Sequence, residues 1–431
     1  DFFTIASDGI RLWSNRSNWS FEEITARSKL PPPDFGPTAA VVCDWDKDTD
    51  LDIVVAGTNG VGVLESLRQG RFRWRELDGD FASLKNSRAL LNEDYDHNGS
   101  WDLLGAGDLG LNLVLTQTTS AGIVSAKQAS SLASSPHHSA TALDFDNDGV
   151  RDLAASDDKG LSLWRGDGRG GFETFTMPPI PAASFAVADV DRDGDEDLLA
   201  ATSADSKWHL NNGSNSNGWL DISLLAQQIK PNEQNYSKRV NHAGIGSTIE
   251  LKAGGRYQAQ VVTGPITHFG LGRQKQAEVV RVIWTNGVPR NLINPEPNLH
   301  VCEEQKLVGS CPYLYTWNGE KFVFVTDLLW NSPIGLKFAE SVVAPWREWE
   351  YLKIDGDKLK PKDGEYQLKI TEELWEAGYF DQIKLFAIDH PAEIDIYTNE
   401  KVGTASMAEH KIHTVRSPRI PVAAKDTQGR N

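Results

Sequence analysis

Apolar residues in the first half of the chain fall in short runs with β-strand character, and helical periodicity is nearly absent throughout. AAVVC (39–43) and IVVAG (53–57) flank the acidic stretch DWDKDTDLD, and the same order of strand, acidic loop, strand, turn and strand returns in SATALDFDNDGVRDLAASDDKGLSLWRGDGRGGFETF. In that unit Leu161 and Leu163, with Phe172 and Phe175, supply the apolar side of the outer strands. The acidic loops begin at residues 44, 94, 144 and 189, a period of 45 to 50 residues, which predicts propeller blades. The opening DGIRLWSNRSNWSFEEI aligns with KGLSLWRGDGRGGFETF, the second half of a unit, so the chain is expected to start inside a blade. Four full units and one partial unit are too few to close a ring of six to eight blades, and a segment of a longer protein, or blades supplied from elsewhere, is expected.

Beyond the turn-rich NNGSNSNG (211–218) the alternation continues in WLDISLL, GIGSTIELKAGG, QAQVV, HFGLG and EVVRVIWTNG, the pattern of a small β-sandwich. A third region contains LYTWNGEKFVFVTD, where Asn318-Gly319 is a hairpin signal, followed by the strand-like GEYQLKITEELW, FDQIKLFAID and EIDIYT. The expected fold is therefore all-β: propeller blades over 1–213, a β domain over 214–300 and a β-sandwich-like domain over 301–431.

The four acidic loops share one grammar. Oxygen-bearing side chains stand at positions one, three, five and nine: Asp44, Asp46, Asp48 and Asp52; Asp94, Asp96, Asn98 and Asp102; Asp144, Asp146, Asp148 and Asp152; Asp189, Asp191, Asp193 and Asp197. Carboxylates near 4 Å apart repel by roughly 4 kcal/mol per pair at an effective dielectric of about 20, so each cluster asks for a counter-ion. Adding the main-chain carbonyl at position seven (Asp50, Ser100, Val150, Asp195) and a position-nine carboxylate able to bind through both oxygens gives six or seven hard ligands. That number suits Ca²⁺ better than Mg²⁺, and about four sites are expected. Gly99, Gly149 and Gly194 fill position six, where the backbone turns sharply; Thr49 makes the first loop the weakest match. An EF-hand is excluded, because its position-twelve Glu is replaced by Val55, Gly105, Ala155 or Ala200 inside an apolar run.

The net charge of −17 is a property of these loops. They hold 18 acidic side chains against Lys47, Arg151 and Arg192, so 15 of the 17 excess negative charges lie in 36 residues. Such a surface argues against nucleic-acid binding, and no apolar run is long enough to span a bilayer as a helix. Cys302 and Cys311 are spaced to close a small disulfide loop, whereas Cys43 ends an apolar strand and is expected as a buried thiol. Weak repeated calcium sites and a disulfide suit an extracellular, cell-surface or periplasmic location.

The loops of the form D-x-[DN]-x-[DN]-x-x-x-D resemble the FG-GAP or VCBS repeats of calcium-binding, integrin-α-like propellers. GWLDISLL, NHAGIGSTIEL, THFGLG and VIWTNG resemble the UnbV/ASPIC domain that follows such repeats in the cartilage acidic protein family. WTNG departs from that family's commoner W-P-x-G, and QQIKPNEQNYSKRV is longer than usual before GIG. The resemblance implies a chain truncated at both ends.

The function these features favour is a non-enzymatic calcium-binding scaffold for adhesion, with a protein or carbohydrate ligand. A subunit of an extracellular filament or surface assembly, with self-association through exposed strand edges, is a second reading. A polysaccharide lyase or hydrolase is a third, with few residues to carry it: His137, His138, His268 and the adjacent Glu372 and Glu373, which would point to opposite faces of a strand. Trp330, Trp346, Trp349 and Trp375 are read as core packing rather than sugar platforms.

Overall fold

The structure is a computed structural model that describes residues 1–6, 9–16, 20–68, 70–213, 217–226, 241–305, 312–328, 337–339, 342–343, 349–371, 380–398, 411–417 and 419. It divides into two compact units, Asp1–Lys306 and Leu307–Asn431.

The first unit begins with five antiparallel sheets in chain order. β1 (Phe2–Ala6), β2 (Gly9–Asn15) and β3 (Phe21–Glu23) form the first. β4 (Pro37–Cys43), β5 (Asp52–Gly57), β6 (Val61–Ser66) and β7 (Phe72–Glu76) form the second, and β8 (Ser87–Glu93), β9 (Asp102–Gly107), β10 (Gly110–Thr118) and β11 (Val124–Ala133) the third. β12 (Ser139–Leu143), β13 (Asp152–Asp157), β14 (Gly160–Gly166) and β15 (Phe172–Ile180) follow, then β16 (Ser184–Ala188), β17 (Asp197–Ala201) and β18 (Ser206–His209). These are propeller blades: β4, β8, β12 and β16, the first strands of successive sheets, contact one another in sequence. The partial unit at the start is a three-stranded sheet whose β2 contains GIRLWSN, as the alignment with GLSLWRG in β14 predicts.

The period of two explains how the blades hold together. In β5, Ile53 and Val55 face Ile10 and Leu12 of the preceding blade, while Val54 and Ala56 join Leu90 and Leu103 of the following one. In β13, Leu153 and Ala155 pack with Leu104 and Ala106, and Ala154 packs with Leu198 and Ala200. The second strand of a blade is covered on both faces, which is why it reads as an unbroken apolar run. Burial at roughly 25 cal/mol per Å² of apolar surface then drives the stacking of blade on blade.

The unit continues as a two-sheet sandwich. β19 (Gly218–Leu225), β20 (Thr248–Ala253), β21 (Arg256–Val261), β22 (Thr267–Gly272), β23 (Val279–Ile283), β24 (Pro289–Ile293) and β25 (Leu299–Glu304) form sheets ordered β22-β19-β25 and β21-β20-β23-β24. Their inner faces bury Leu220, Ile222, Ile249, Leu251, Phe269, Val280, Val282 and Trp284. β25 pairs in parallel with β19 across the boundary drawn from sequence at 300/301, so the sandwich runs on to Glu304. Ala259 and Val261 of β21 also belong to the same apolar cluster as Cys43, Trp45 and Trp101, which joins sandwich and blades through one core.

In the second unit, β26 (Tyr313–Trp317) and β27 (Phe322–Asp327) make the expected hairpin, with Asn318 N–H donating to the Lys321 carbonyl at 3.0 Å. Shorter pairs follow: β28 (Lys337–Ala339) with β29 (Val342–Val343), β30 (Pro361–Lys362) with β31 (Glu365–Tyr366), β32 (Leu368–Thr371) on β26, and β33 (Ile394–Tyr397) with β34 (His413–Arg416). FDQIKLFAID, expected as a strand, pairs with no strand among the described residues, and Ile383 and Phe386 are exposed. Cys311, Glu372, Glu373, Trp330, Trp346 and Trp375 lie outside the described residues, while Cys302 is an exposed free thiol and Trp349 is exposed.

Replacing Trp284, 2 % exposed at the centre of the sandwich, by Ala removes the largest side chain of that core. The expected cost is about 3–5 kcal/mol, read as an earlier denaturant midpoint for the first unit.

Candidate metal centres and the face they build

Each acidic loop joins the first strand of a blade to the second, and position nine is always the first residue of the second strand: Asp52, Asp102, Asp152 and Asp197. The strand pairing is identical in all four, with Cys43, Glu93, Leu143 and Ala188 opposite those aspartates. The backbone turns through left-handed conformations at position six, with φ of 72° at Thr49, 82° at Gly99, 81° at Gly149 and 92° at Gly194. Position four is left-handed as well, at Lys47, His97, Asn147 and Arg192.

Within the loops, hydrogen bonds fix the carboxylates before any ion is considered. The position-one carboxylate accepts the position-six N–H at 2.8 to 3.0 Å in all four. Position five closes a local turn by accepting the position-seven N–H, at Asp48, Asn98, Asp148 and Asp193. Position nine is buried and accepts two backbone N–H groups: position two on one oxygen, and on the other the residue fourteen further on, Ser66, Thr116, Gly166 or Asn211. The sequence reading assigned position nine to the ion alone. Its first task is to tie the loop to the end of the third strand, and a carboxylate with about four lone pairs retains capacity for a cation.

Three aspartates converge in each loop: positions one, three and nine in the second, third and fourth, and positions one, three and five in the first. Ligand atoms of Asp94, Asp96 and Asp102 lie within 4.8 Å of one another, as do those of Asp144, Asp146 and Asp152, and of Asp189, Asp191 and Asp197. In the first loop the converging set is Asp44, Asp46 and Asp48. Oδ1 of Asp44, of Asp46 and of Asp146 is buried without a hydrogen-bond partner, the condition a hard cation would relieve. The residues present therefore fit calcium, held by positions one, three, five and nine with the position-seven carbonyl. The position-seven side chains serve elsewhere: Asp50 pairs with Arg68 at 2.8 Å, and the Asp195 carboxylate accepts from Asn147 at 2.7 Å.

Burial, reinforced by the neighbouring carboxylates, drives the pKa values up from an ordinary 3.8. Asp44 rises to about 6, Asp52, Asp94 and Asp144 to about 7, and Asp102 and Asp152 to about 8. Asp189 is raised as well, burial again first. Side-chain cations reach only the outer carboxylates: Lys127 meets Asp96 at 2.7 Å, and Arg165 meets Asp146 at 2.6 Å and Asp148 at 3.2 Å. The fourth loop has no ion pair among the described residues, and its position-one and position-three aspartates are less buried than those of the second and third loops.

The loops are linked to one another by residues the sequence reading passed over. Lys47 at position four of the first loop donates to the carbonyl of Gly99, position six of the second. Asn147, position four of the third, donates to the carbonyl of Gly194 at 2.9 Å, position six of the fourth. Arg151 and Glu196 stand at position eight of the third and fourth loops; Arg151 is 3.4 Å from Glu93, and Glu196 accepts the backbone N–H of Asp144 at 2.7 Å. The one visible signal was polar character at position four in every copy.

All four loops face the sandwich. Leu51 packs on Gly246 and Thr49 on Gly287, while Gly99 lies near Tyr257. Arg256 donates to the main-chain oxygen of Asp148, and a Cβ at Gly194 would collide with the Trp219 ring. The THFGLG strand makes the closest docking. A Cβ at Gly270 would meet the Asp144 carboxylate at 2.1 Å, and Gly272 N–H donates to the Asn147 carbonyl at 2.8 Å. Buried His268 has both ring nitrogens in use, Nδ1 to Asp221 at 2.8 Å and Nε2 to Asn147 Oδ1 at 2.6 Å. Because the Asn147 amide nitrogen already donates to Gly194 and Asp195, its oxygen accepts from His268 Nε2, and with Nδ1 facing the Asp221 carboxylate the site favours the doubly protonated ring. Burial opposes that charge, but the Asp221 hydrogen bond and the charges of Glu196, Asp221 and Asp144 outweigh it and raise the pKa.

Two family signatures match these regions: the FG-GAP-like repeat over residues 144–200 and the ASPIC and UnbV domain over 237–305. The chain carries an FG-GAP-like repeat and an ASPIC/UnbV domain. The first match runs from Asp144 of the third loop to Ala200 of β17, and the second closes at the end of β25. No curated protein matches the chain. Among solved structures, an Agrocybe aegerita lectin that recognises non-reducing terminal N-acetylglucosamine aligns at 16 % identity and a TM-score of 0.37, over 48 % of this chain and 58 % of the lectin. The V. cholerae biofilm matrix protein Bap1 aligns at 14 % identity and 0.26, over 59 % of this chain and 48 % of Bap1. A Lactobacillus plantarum protein aligns at 8 % identity and 0.31, over 67 % and 79 %. The chain thus spans about half the length of the first two.

Asp102→Ala leaves the buried N–H groups of Tyr95 and Thr116 unpaired. A loss of about 2–4 kcal/mol is expected from two such groups, in calcium as well as in EGTA, measured by chemical denaturation. The pH dependence has a definite sign. Carboxylates with raised pKa bind protons in the folded state and not in the unfolded one, so the calcium-free protein loses stability as pH rises from about 4 to about 8, at about 1.4 kcal/mol for each tenfold change in proton affinity. The raised pKa of His268 acts in the same direction, its contribution present at low pH and lost as pH rises through the folded-state value. Melting in EGTA is expected to occur earlier at pH 8 than at pH 5, and saturating calcium should remove most of that fall.

Proposed function

We infer that this chain is the calcium-stabilised scaffold of a secreted or cell-surface protein, acting by presenting surfaces to a partner rather than by catalysis. The observation that carries the reading is that four converging carboxylate clusters all lie on the blade face that holds the ASPIC/UnbV domain. Ions in those loops would cancel the repulsion among the buried aspartates, fix the loop backbones and set the docking surface for THFGLG. Metal binding would then be folding free energy, shared between blades and sandwich. Extracellular modules commonly bind calcium at 10⁻⁴ to 10⁻³ M, which matches loops that already use part of their oxygen capacity on backbone N–H groups. No helix among the described residues is long and apolar enough to cross a membrane. The candidate base of the enzymatic alternative, His268, has both nitrogens engaged in the interface, which favours the scaffold reading.

Thermal unfolding in millimolar calcium and in EGTA tests this. Millimolar calcium is about ten times a Kd of about 10⁻⁴ M, so each filled site adds about 1.4 kcal/mol, and with four sites the midpoint is expected to fall by on the order of 10 °C on chelation. An unchanged midpoint would remove the reading.

A further inference from the structure

A cavity of about 670 Å³ opens between the outer turn of the fourth sheet and the ASPIC/UnbV domain, lined in part by His97, Asp148, Arg256, Tyr257 and Gly272 of the loops and docking contacts and in part by residues that neither uses. Arg169 reaches it from the turn between β14 and β15, and Arg273 and Gln274 from the end of β22. The side chains of Arg169, Arg273 and Gln274 make no hydrogen bond or ion pair among the described residues. Arg256 completes the group, fixed in place by its hydrogen bond to the Asp148 carbonyl.

The two acids in the lining leave Arg169 and Arg273 unpaired among the described residues. Asp148, a residue of the third metal loop, is shared between Arg165 at 3.2 Å and Arg256 at 3.8 Å, and Asp167 accepts the backbone N–H groups of Arg169 and Gly171, which closes its own turn. In a protein of net charge −17 this leaves a local excess of fixed positive charge facing a cavity of ligand size. Guanidinium groups present planar pairs of donors matched to carboxylate or sulfate oxygens, and the free Gln274 amide offers both a donor and an acceptor to hydroxyl groups. Gly168, Gly255 and Gly272 lie in the walls, so backbone is open to close approach. Ala253 and Leu271 are the aliphatic side chains of the lining. A peptide anchored by an apolar side chain finds little here to bury.

We propose that this cavity binds an acidic oligosaccharide, with Arg169, Arg256 and Arg273 on its carboxylate or sulfate groups and Gln274 on ring hydroxyls. The proposal deepens the scaffold reading by naming the ligand class, and it rests on that reading for the position of Arg256 on the third loop.

Isothermal titration of the full chain in calcium with a tetragalacturonate, a heparin-derived tetrasaccharide and neutral chitotetraose tests it, together with a polyglutamate peptide. Binding of one or both acidic saccharides, weakened by salt, with no binding of chitotetraose is expected. The tetragalacturonate and heparin arms separate carboxylate from sulfate recognition. The double variant R169A/R273A should weaken binding at least tenfold while its melting midpoints in calcium and EGTA stay within a degree or so of the parent, since neither side chain has a partner among the described residues. R169K/R273K, which keeps the charge and loses the paired donors, should recover only part of the affinity. Failure of all four probes to bind, equal binding of the neutral saccharide, stronger binding of polyglutamate, or an unaffected double alanine variant would each overturn the proposal. Because the calcium effect on melting is read on the same samples, a failure of the scaffold reading shows there and not in the saccharide titration.

Discussion

Burying negative charge without an equal positive charge is the constraint on which this protein is built. The position-one and position-nine aspartates of the first three acidic loops are largely buried, and burial raises their proton affinity by about two to four powers of ten. Hydrogen bonds from backbone N–H groups offset part of that cost and give each loop its shape. The remainder falls to a proton, to a side-chain cation such as Lys127 or Arg165, or to a metal ion. A divalent cation alone can answer three carboxylates at once.

That local balance governs the larger architecture because the loops are shared structure. The position-nine carboxylate ties the first hairpin of a blade to the end of its third strand, and in the first and third loops position four reaches across to the next loop. The sandwich then sits on the assembled loops, through glycines that admit no side chain and through a histidine locked between Asp221 and Asn147. A change in the third loop is thereby felt by the neighbouring loop and by the sandwich together. The buried apolar cluster joining Trp45 and Trp101 to Ala259 and Val261 makes that coupling mechanical as well as electrostatic.

Much of this was legible in the sequence. The period of the acidic loops located the blades, and the runs of alternating residues located β19 to β24, because alternation and turn residues report strand burial directly. The position of each converging aspartate was legible too, since oxygen ligands at fixed spacing have few other uses. Position nine was only half read: its role toward Thr116 or Gly166 depends on a residue fourteen positions away, which no local pattern reveals. Asn147, Arg151 and Glu196 were invisible for a related reason, as their partners lie in other blades. FDQIKLFAID shows the converse, an alternation that pairs with no strand among the described residues.

The central claim is that divalent ions occupy the four loops. A crystal structure of the protein grown in calcium, with anomalous differences collected at long wavelength, tests it most directly. The account predicts a peak in each loop, bounded by the side chains of positions one, three, five and nine, with Lys127 displaced from Asp96 and Arg165 from Asp146 and Asp148. Loops without peaks, their aspartates still paired to those side chains, would contradict it.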